Sequence, residues 1–272
     1  MANKADTWMA GSLVVPSFAI KKQSLALWLL RLPAFVPLVL VSRGWLLANP
    51  KSVLTLTEAD VLGTGGEICF FAMLSVTPII TLTGARWIAP LRRWYGIMFA
   101  VLGIADGITA SITGDFAGGI VGRVAGHTFL LAGFLTVLLA LPLLATANTT
   151  AQRKLGKYWK RLHKITYVLW GLLVVHLLLL DGFVPFGASS GDGDPVFHQR
   201  FYQAVAISIP LVVLRLPPVR RWIGEQRAAG RMRRVWLAIA PLVALYLTGF
   251  VFILNEEIFT GTMAITLRPP AN

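Results

Sequence analysis

Two histidines, His163 and His176, stand 13 residues apart on one hydrophobic segment, LHKITYVLWGLLVVHLLLL, which opens with a basic run. Histidine is rare inside a bilayer, and imidazole is a usual axial ligand of b-type haem. At about 1.5 Å of rise per residue the pair lies roughly 20 Å apart along a helix. That spacing would let one helix serve two haems, one near each membrane face. At about 100° per residue the two rings stand about 140° apart around an ideal helix, so winding, tilt or unequal depth has to absorb the difference. The plainer alternative is that both are polar residues packing helices together.

Three further groups share those levels. Asp106 follows Arg92 by 14 residues, so the two nearly share a helix face. By depth Asp106 lies opposite His176, and Arg92 or Arg93 lies near His163. A membrane aspartate is costly; it can accept a hydrogen bond from an imidazole, carry a proton, pair with a buried cation, or sit in a wet outer cavity. Gly103 and Gly107 flank it at G-x-x-x-G spacing, which suits either a porphyrin plane or close helix packing. His127 opens the next apolar run on the outer side. It can pair with His176 across one haem, or else cap its helix or contact a propionate beside Arg123. His198, in FHQR at an outer junction, reads as a surface residue.

The elements that must position these residues are membrane helices. The chain has 272 residues, 56% of them hydrophobic and only 14% charged, and its mean hydropathy is +0.70. Soluble domains carry about a quarter charged residues, so the composition specifies an all-α integral membrane protein. The net charge of +13 raises the question of nucleic acid. The basic residues punctuate apolar runs without forming a solvated stripe, which excludes that partner. The single cysteine, Cys69, supports neither a disulfide framework nor a thiolate metal site. No cleaved signal peptide is read at the start.

Apolar runs near the roughly 20 residues of a spanning helix fall at 24–47, 60–83, 94–112, 124–145, 163–181, 201–217 and 234–254. They predict a bundle of 6–7 transmembrane helices. Arg31, Pro33 and Pro37 make the first run irregular, and Pro210, Pro217 and Pro218 weaken the sixth. Placing the N-terminus in the cytoplasm assigns 19 of the 25 basic residues to the inner side, as the positive-inside rule requires. The organisation is then an interfacial segment 1–23, a core 24–182, an outer Gly/Asp-rich loop 183–200, and C-terminal helices with a tail over 201–272. A Gly-rich nucleotide fingerprint following a strand is absent, so a nicotinamide-binding module is not expected here. No internal repeat or discontinuous helix pair suggests a transporter.

The inner loops combine Arg86, Arg92, Arg93, Arg153, Lys154, Lys157, Lys160 and Arg161 with Trp87, Trp94, Tyr95, Tyr158 and Trp159. Such a set anchors a protein to anionic lipid. It also suits a haem propionate, a flavin phosphate or a quinol headgroup, because arginine favours anionic oxygen.

Four stretches carry a resemblance to a known family: GEICFFAMLSVTPII with GARWIAPLRR, RRWYGIMFAVLGIADGI, GFLTVLLALPLLAT, and LGKYWKRLHKITYVLWGLLVVH. In their order and spacing, over about 60–180, they resemble the ferric-reductase-like transmembrane family, and within it the MsrQ-type haem-binding membrane subunits. The resemblance implies haem b, one or two, with FMN or a quinone as further candidates. It implies electron transfer across a bacterial inner membrane, from a cytoplasmic flavin reductase or quinol to an outer redox protein or a larger membrane complex. His163 and His176 match ligand positions, and Arg92 matches an arginine near the inner haem. Asp106 departs from the pattern, standing where the family has a ligating histidine. The outer site is then completed by His127, five-coordinate on His176, or empty. An empty site would suit a haem-poor accessory subunit of a larger complex.

Overall fold

The computed structural model describes residues 17–39, 41, 56–113, 128–180 and 199–253, every regular element among them helical. The helices are α1 (Ser17–Leu29), α2 (Leu56–Thr83), α3 (Pro90–Thr113), α4 (Thr128–Ala145), α5 (Thr149–Leu155), α6 (Lys157–Leu162), α7 (Ile165–Leu180), α8 (Gln199–Val213), α9 (Pro217–Ala228) and α10 (Met232–Ile253). Short 3₁₀ turns at Leu32–Phe35 and Arg86–Ile88 precede longer elements.

Four stretches are long and apolar enough to cross a membrane: Val61–Thr83, Arg86–Thr109, Lys157–Leu179 and Met232–Val251. Two helix pairs reach that length only when each is taken together across a bend, α4 with α5 at 88° and α8 with α9 at 61°. Large apolar side chains remain on the outside of these helices, Leu237 at 68% exposure and Val251 at 60%. Lipid, not water, suits such a surface, and the chain is an all-α integral membrane protein. The first expected run, 24–47, overlaps a shorter apolar helical stretch, Gln23–Val39. The break expected from its prolines appears at Arg31, where the chain passes into the 3₁₀ turn with Pro33 in its first positions.

Close approach of backbones organises the core, since lipid removes most of the hydrophobic drive between helices. The α2–α3 pair is the most extensive in the fold. A methyl group added at Gly66 would stand 3.6 Å from the backbone nitrogen of Gly103 and 3.7 Å from the carbonyl of Phe99. Gly103 is thus a packing residue, while a methyl group added at Gly107 would meet no described atom of another element within 4 Å. Phe70, Phe71 and Leu102 are fully buried along this seam. Helix α7 packs on α4, and α8 packs on both α7 and α10. The Trp170 indole N–H donates to Ser208 Oγ at 2.9 Å, and the Ser75 and Tyr246 hydroxyls meet at 2.8 Å.

The chain breaks among the described residues include several at the end that carries the basic loops. Gly84 closes α2 with φ +77 and donates to the Ile80 carbonyl at 2.8 Å. Asn148 holds the sharp α4–α5 bend from both sides. Its Oδ1 accepts from the Ala151 N–H at 2.7 Å and its Nδ2 donates to the Ala145 carbonyl at 2.9 Å. Gly156, at φ +50, separates α5 from α6.

Candidate functional site

A cavity of about 460 Å³ opens at this basic end, between the inner halves of α2, α3, α4 and α7. Its size lies within the range of roughly 300–1,000 Å³ typical of ligand and cofactor sites. Arg92, Arg93, Lys160, Lys164, His163 and Arg215 all line it, and no carboxylate among the described residues does. Arg92 and Arg93 stand at the start of α3, so the level expected for them beside His163 is where they are found.

His163 does not begin a continuous helix as the sequence pattern suggested. It is the C-terminal cap of α6, with φ −68 and ψ −9, and α7 starts two residues later at Ile165. The joint adds a local unwinding to the 13-residue interval, so ideal helical angles no longer relate the two histidines. Trp159 fixes the imidazole. Its indole N–H donates to the Thr146 carbonyl at 3.1 Å, tying α6 to the end of α4, and its ring lies 4.0 Å from the His163 ring at 39°. Among the described residues, His163 Nε2 is a buried polar atom without a hydrogen-bond partner.

Arg215 enters from the α8–α9 bend. Its guanidinium donates through Nη2 to the Leu74 carbonyl and lies over the rings of Tyr167 at 5.9 Å and Trp170 at 5.5 Å. The Leu74 carbonyl is available because Pro78, four residues on inside α2, has no N–H to offer it. The second terminal nitrogen, Nη1, is buried and unpartnered among the described residues. Composition alone marked Arg215 only as one more inner-side charge. The usable signal was its setting, LVVLRLPPV, a lone cation between an apolar run and a helix-breaking proline pair.

The outer candidates are placed differently. The His176 imidazole lies against the backbone of Gly133 in α4, where an added methyl would stand 3.0 Å from Cε1 and 3.1 Å from Nδ1. Asp106 lies against Gly63 of α2, its carboxylate atoms 3.4 Å from an equivalent methyl. Thus His176 faces the α4–α7 seam and Asp106 the α2–α3 seam. His127 and His198 lie outside the described residues.

The donor set fits a haem better than a bare ion. No group of three or more His, Cys, Asp or Glu able to hold a metal ion occurs among the described residues. A haem asks the protein for only one imidazole nitrogen on a face, with cations for its acidic groups. His163 Nε2 and the surrounding arginines match that demand.

A heme-binding subunit of protein-methionine-sulfoxide reductase, MsrQ, from Ralstonia nicotianae is 29% identical over 167 residues, covering 60% of this chain and 75% of its own. The MsrQ of Brucella ovis is 29% identical over 209 residues, covering 71% of this chain and 87% of its own. The chain is MsrQ-like. The magnetosome protein MamZ of Magnetospirillum gryphiswaldense is 33% identical over 143 residues, 48% of this chain but only 21% of MamZ. No family model matches the chain, and no solved structure does. The MsrQ-like chain therefore shares most of its length with proteins named for haem binding, and its inner cavity falls within the stretch that carried the resemblance, apart from Arg215.

Proposed function

We propose that the protein is a haem-binding membrane redox subunit, passing electrons from a donor at the basic face to an acceptor at the opposite face. His163 would supply the imidazole nitrogen that holds an inner haem, and Arg92 and Arg93 would bind its acidic groups; His176 would hold an outer haem, with His127 as a further candidate ligand. When bound, b-type haem supplies a reversible one-electron iron centre. The chain supplies axial nitrogens, a low dielectric and cations that set the centre's energy. The observation that supports this reading most directly is the buried His163 Nε2, without a hydrogen-bond partner among the described residues, on a side chain that lines a cavity shared with several cations.

The basic face is assigned to the cytoplasm of a bacterial inner membrane by the positive-inside rule. A flavin reductase or quinol is then the donor class, with FMN or a quinone as the carrier at that face. The relatives' name makes a methionine-sulfoxide reductase the first acceptor to test. Purified full-length protein should show a Soret band and a b-type pyridine haemochrome. His163→Ala and His176→Ala should each remove or shift one component of an anaerobic redox titration. Protein without haem, or two substitutions that leave the spectra intact, would sink the reading.

One observation favours a second reading, a haem-poor accessory subunit. Asp106 replaces the expected histidine and lies against α2, while His176 lies against α4. Under that reading the purified chain carries at most the inner haem and copurifies with a larger complex.

A further inference from the structure

The geometry points to Arg215 as an anion clamp of the inner cavity, brought there by the C-terminal helices to hold a carboxylate of the bound haem. This inference rests on the haem reading above, and it adds a residue outside the stretch that carries the family motif. Pro78 leaves the Leu74 carbonyl of α2 without its helical donor, and Arg215 Nη2 takes that place. Tyr167 and Trp170 of α7 lie against the guanidinium plane. One nitrogen is thereby anchored, while Nη1 is buried and without a partner among the described residues, on a side chain that lines the cavity.

A buried donor left unmade costs stability, so such an atom calls for a ligand. The chemistry of that ligand follows from its neighbours. Arg92, Arg93, Lys160 and Lys164 share the lining with no carboxylate among the described residues to neutralise them, and Arg220 adds its field to Arg92 and Arg215. The lining offers cationic donors for an anionic oxygen and an imidazole nitrogen for a metal. Haem offers both on one molecule, a propionate and an iron. Arginine suits the propionate better than lysine would, because its planar fork can anchor on one side and donate on the other.

The clamp has an electrostatic consequence. Ferric haem carries one more positive charge than ferrous haem, so a nearby guanidinium disfavours the ferric state. Removing it, or leaving the propionate uncompensated, should shift the one-electron equilibrium about tenfold toward ferric, a fall of about 59 mV in midpoint potential.

The test is an anaerobic optical redox titration of the full chain in detergent, with haem quantified as its pyridine haemochrome, following the component that His163→Ala removes. Arg215→Gln should lower the midpoint of that component and weaken haem retention. Arg215→Lys should recover most of the potential. Arg227→Gln is the structural comparison, since Arg227 donates to the Thr81 carbonyl of the same helix but does not line the cavity. It should leave the midpoint where it is. An unchanged midpoint in Arg215→Gln overturns the clamp, as does an equal shift in Arg227→Gln or haem loss from both Arg215 variants. Wild-type protein lacking haem overturns the functional reading itself, and the clamp with it.

Discussion

His176 rests on a glycine, and that contact decides what the outer half of α7 tolerates. The imidazole approaches the Gly133 backbone so closely that a single methyl group would stand 3.0 Å from Cε1. The His176 ring then has to give by a few tenths of an ångström. Gly133→Ala should therefore disturb the spectral component assigned to His176 and leave the His163 component unchanged. Gly171→Ala, on α7 with nothing within 4 Å of its added methyl, should change neither. Equal optical spectra for Gly133→Ala and wild type would separate His176 from any haem. The depth of Arg92 relative to His163 was legible beforehand because helical rise converts a residue count into a level. The partners of Arg215 were not. Its contact to Leu74 joins residues 141 apart in sequence, and no local pattern encodes which helix a buried cation will meet. Nor could spacing alone decide which seam His176 and Asp106 would face, since that depends on how α2, α3, α4 and α7 are arranged.

Helix α2 shows how an element can build part of a site by being imperfect. Pro78 frees the Leu74 carbonyl inside the helix, and the helix end frees the Thr81 carbonyl, whose next-turn N–H, that of Ala85, bonds to Thr83 Oγ1 instead. Each carbonyl is taken by an arginine from the α8–α9 region, Arg215 and Arg227 respectively. Proline in a helix interior costs about 3 kcal/mol relative to alanine, and a hydrogen bond to a charged group contributes roughly 1.5–3 kcal/mol. These magnitudes nearly offset. Pro78→Ala should therefore leave thermal stability close to wild type while restoring the backbone donor to Leu74 and releasing Arg215. The expected result is a lower or broadened midpoint for the inner component, at an almost unchanged melting temperature. A midpoint that stays sharp and unshifted would show that the proline does not position the arginine. The sequence displayed the α2 run clearly, since apolar length is a local property. Its proline gave no indication of the donor, because that depends on where the α8–α9 bend falls in space.

At the scale of the molecule, one end carries nearly all the chemistry recognised so far. The α4–α5 and α8–α9 bends, the 3₁₀ turn before α3 and the α6–α7 joint all lie there, with the basic residues of every loop between them. Irregular backbone is tolerated at a membrane protein's end, where water can satisfy it, far more readily than within hydrocarbon. The same end is the one that the positive-inside rule places in the cytoplasm, so the cavity should face cytoplasmic donors. Helix α5 provides the test, because Lys154 is exposed and does not line the cavity. The native thiol of Cys69 is only 2% exposed and should stay silent toward a membrane-impermeant maleimide. Lys154→Cys should then be labelled in inverted membrane vesicles and protected in intact spheroplasts. Labelling from the outer side would reverse the molecule in the membrane. Under the proposed function, electrons would then enter at the His176 end, and the arginine-ringed cavity would become the exit side of the path.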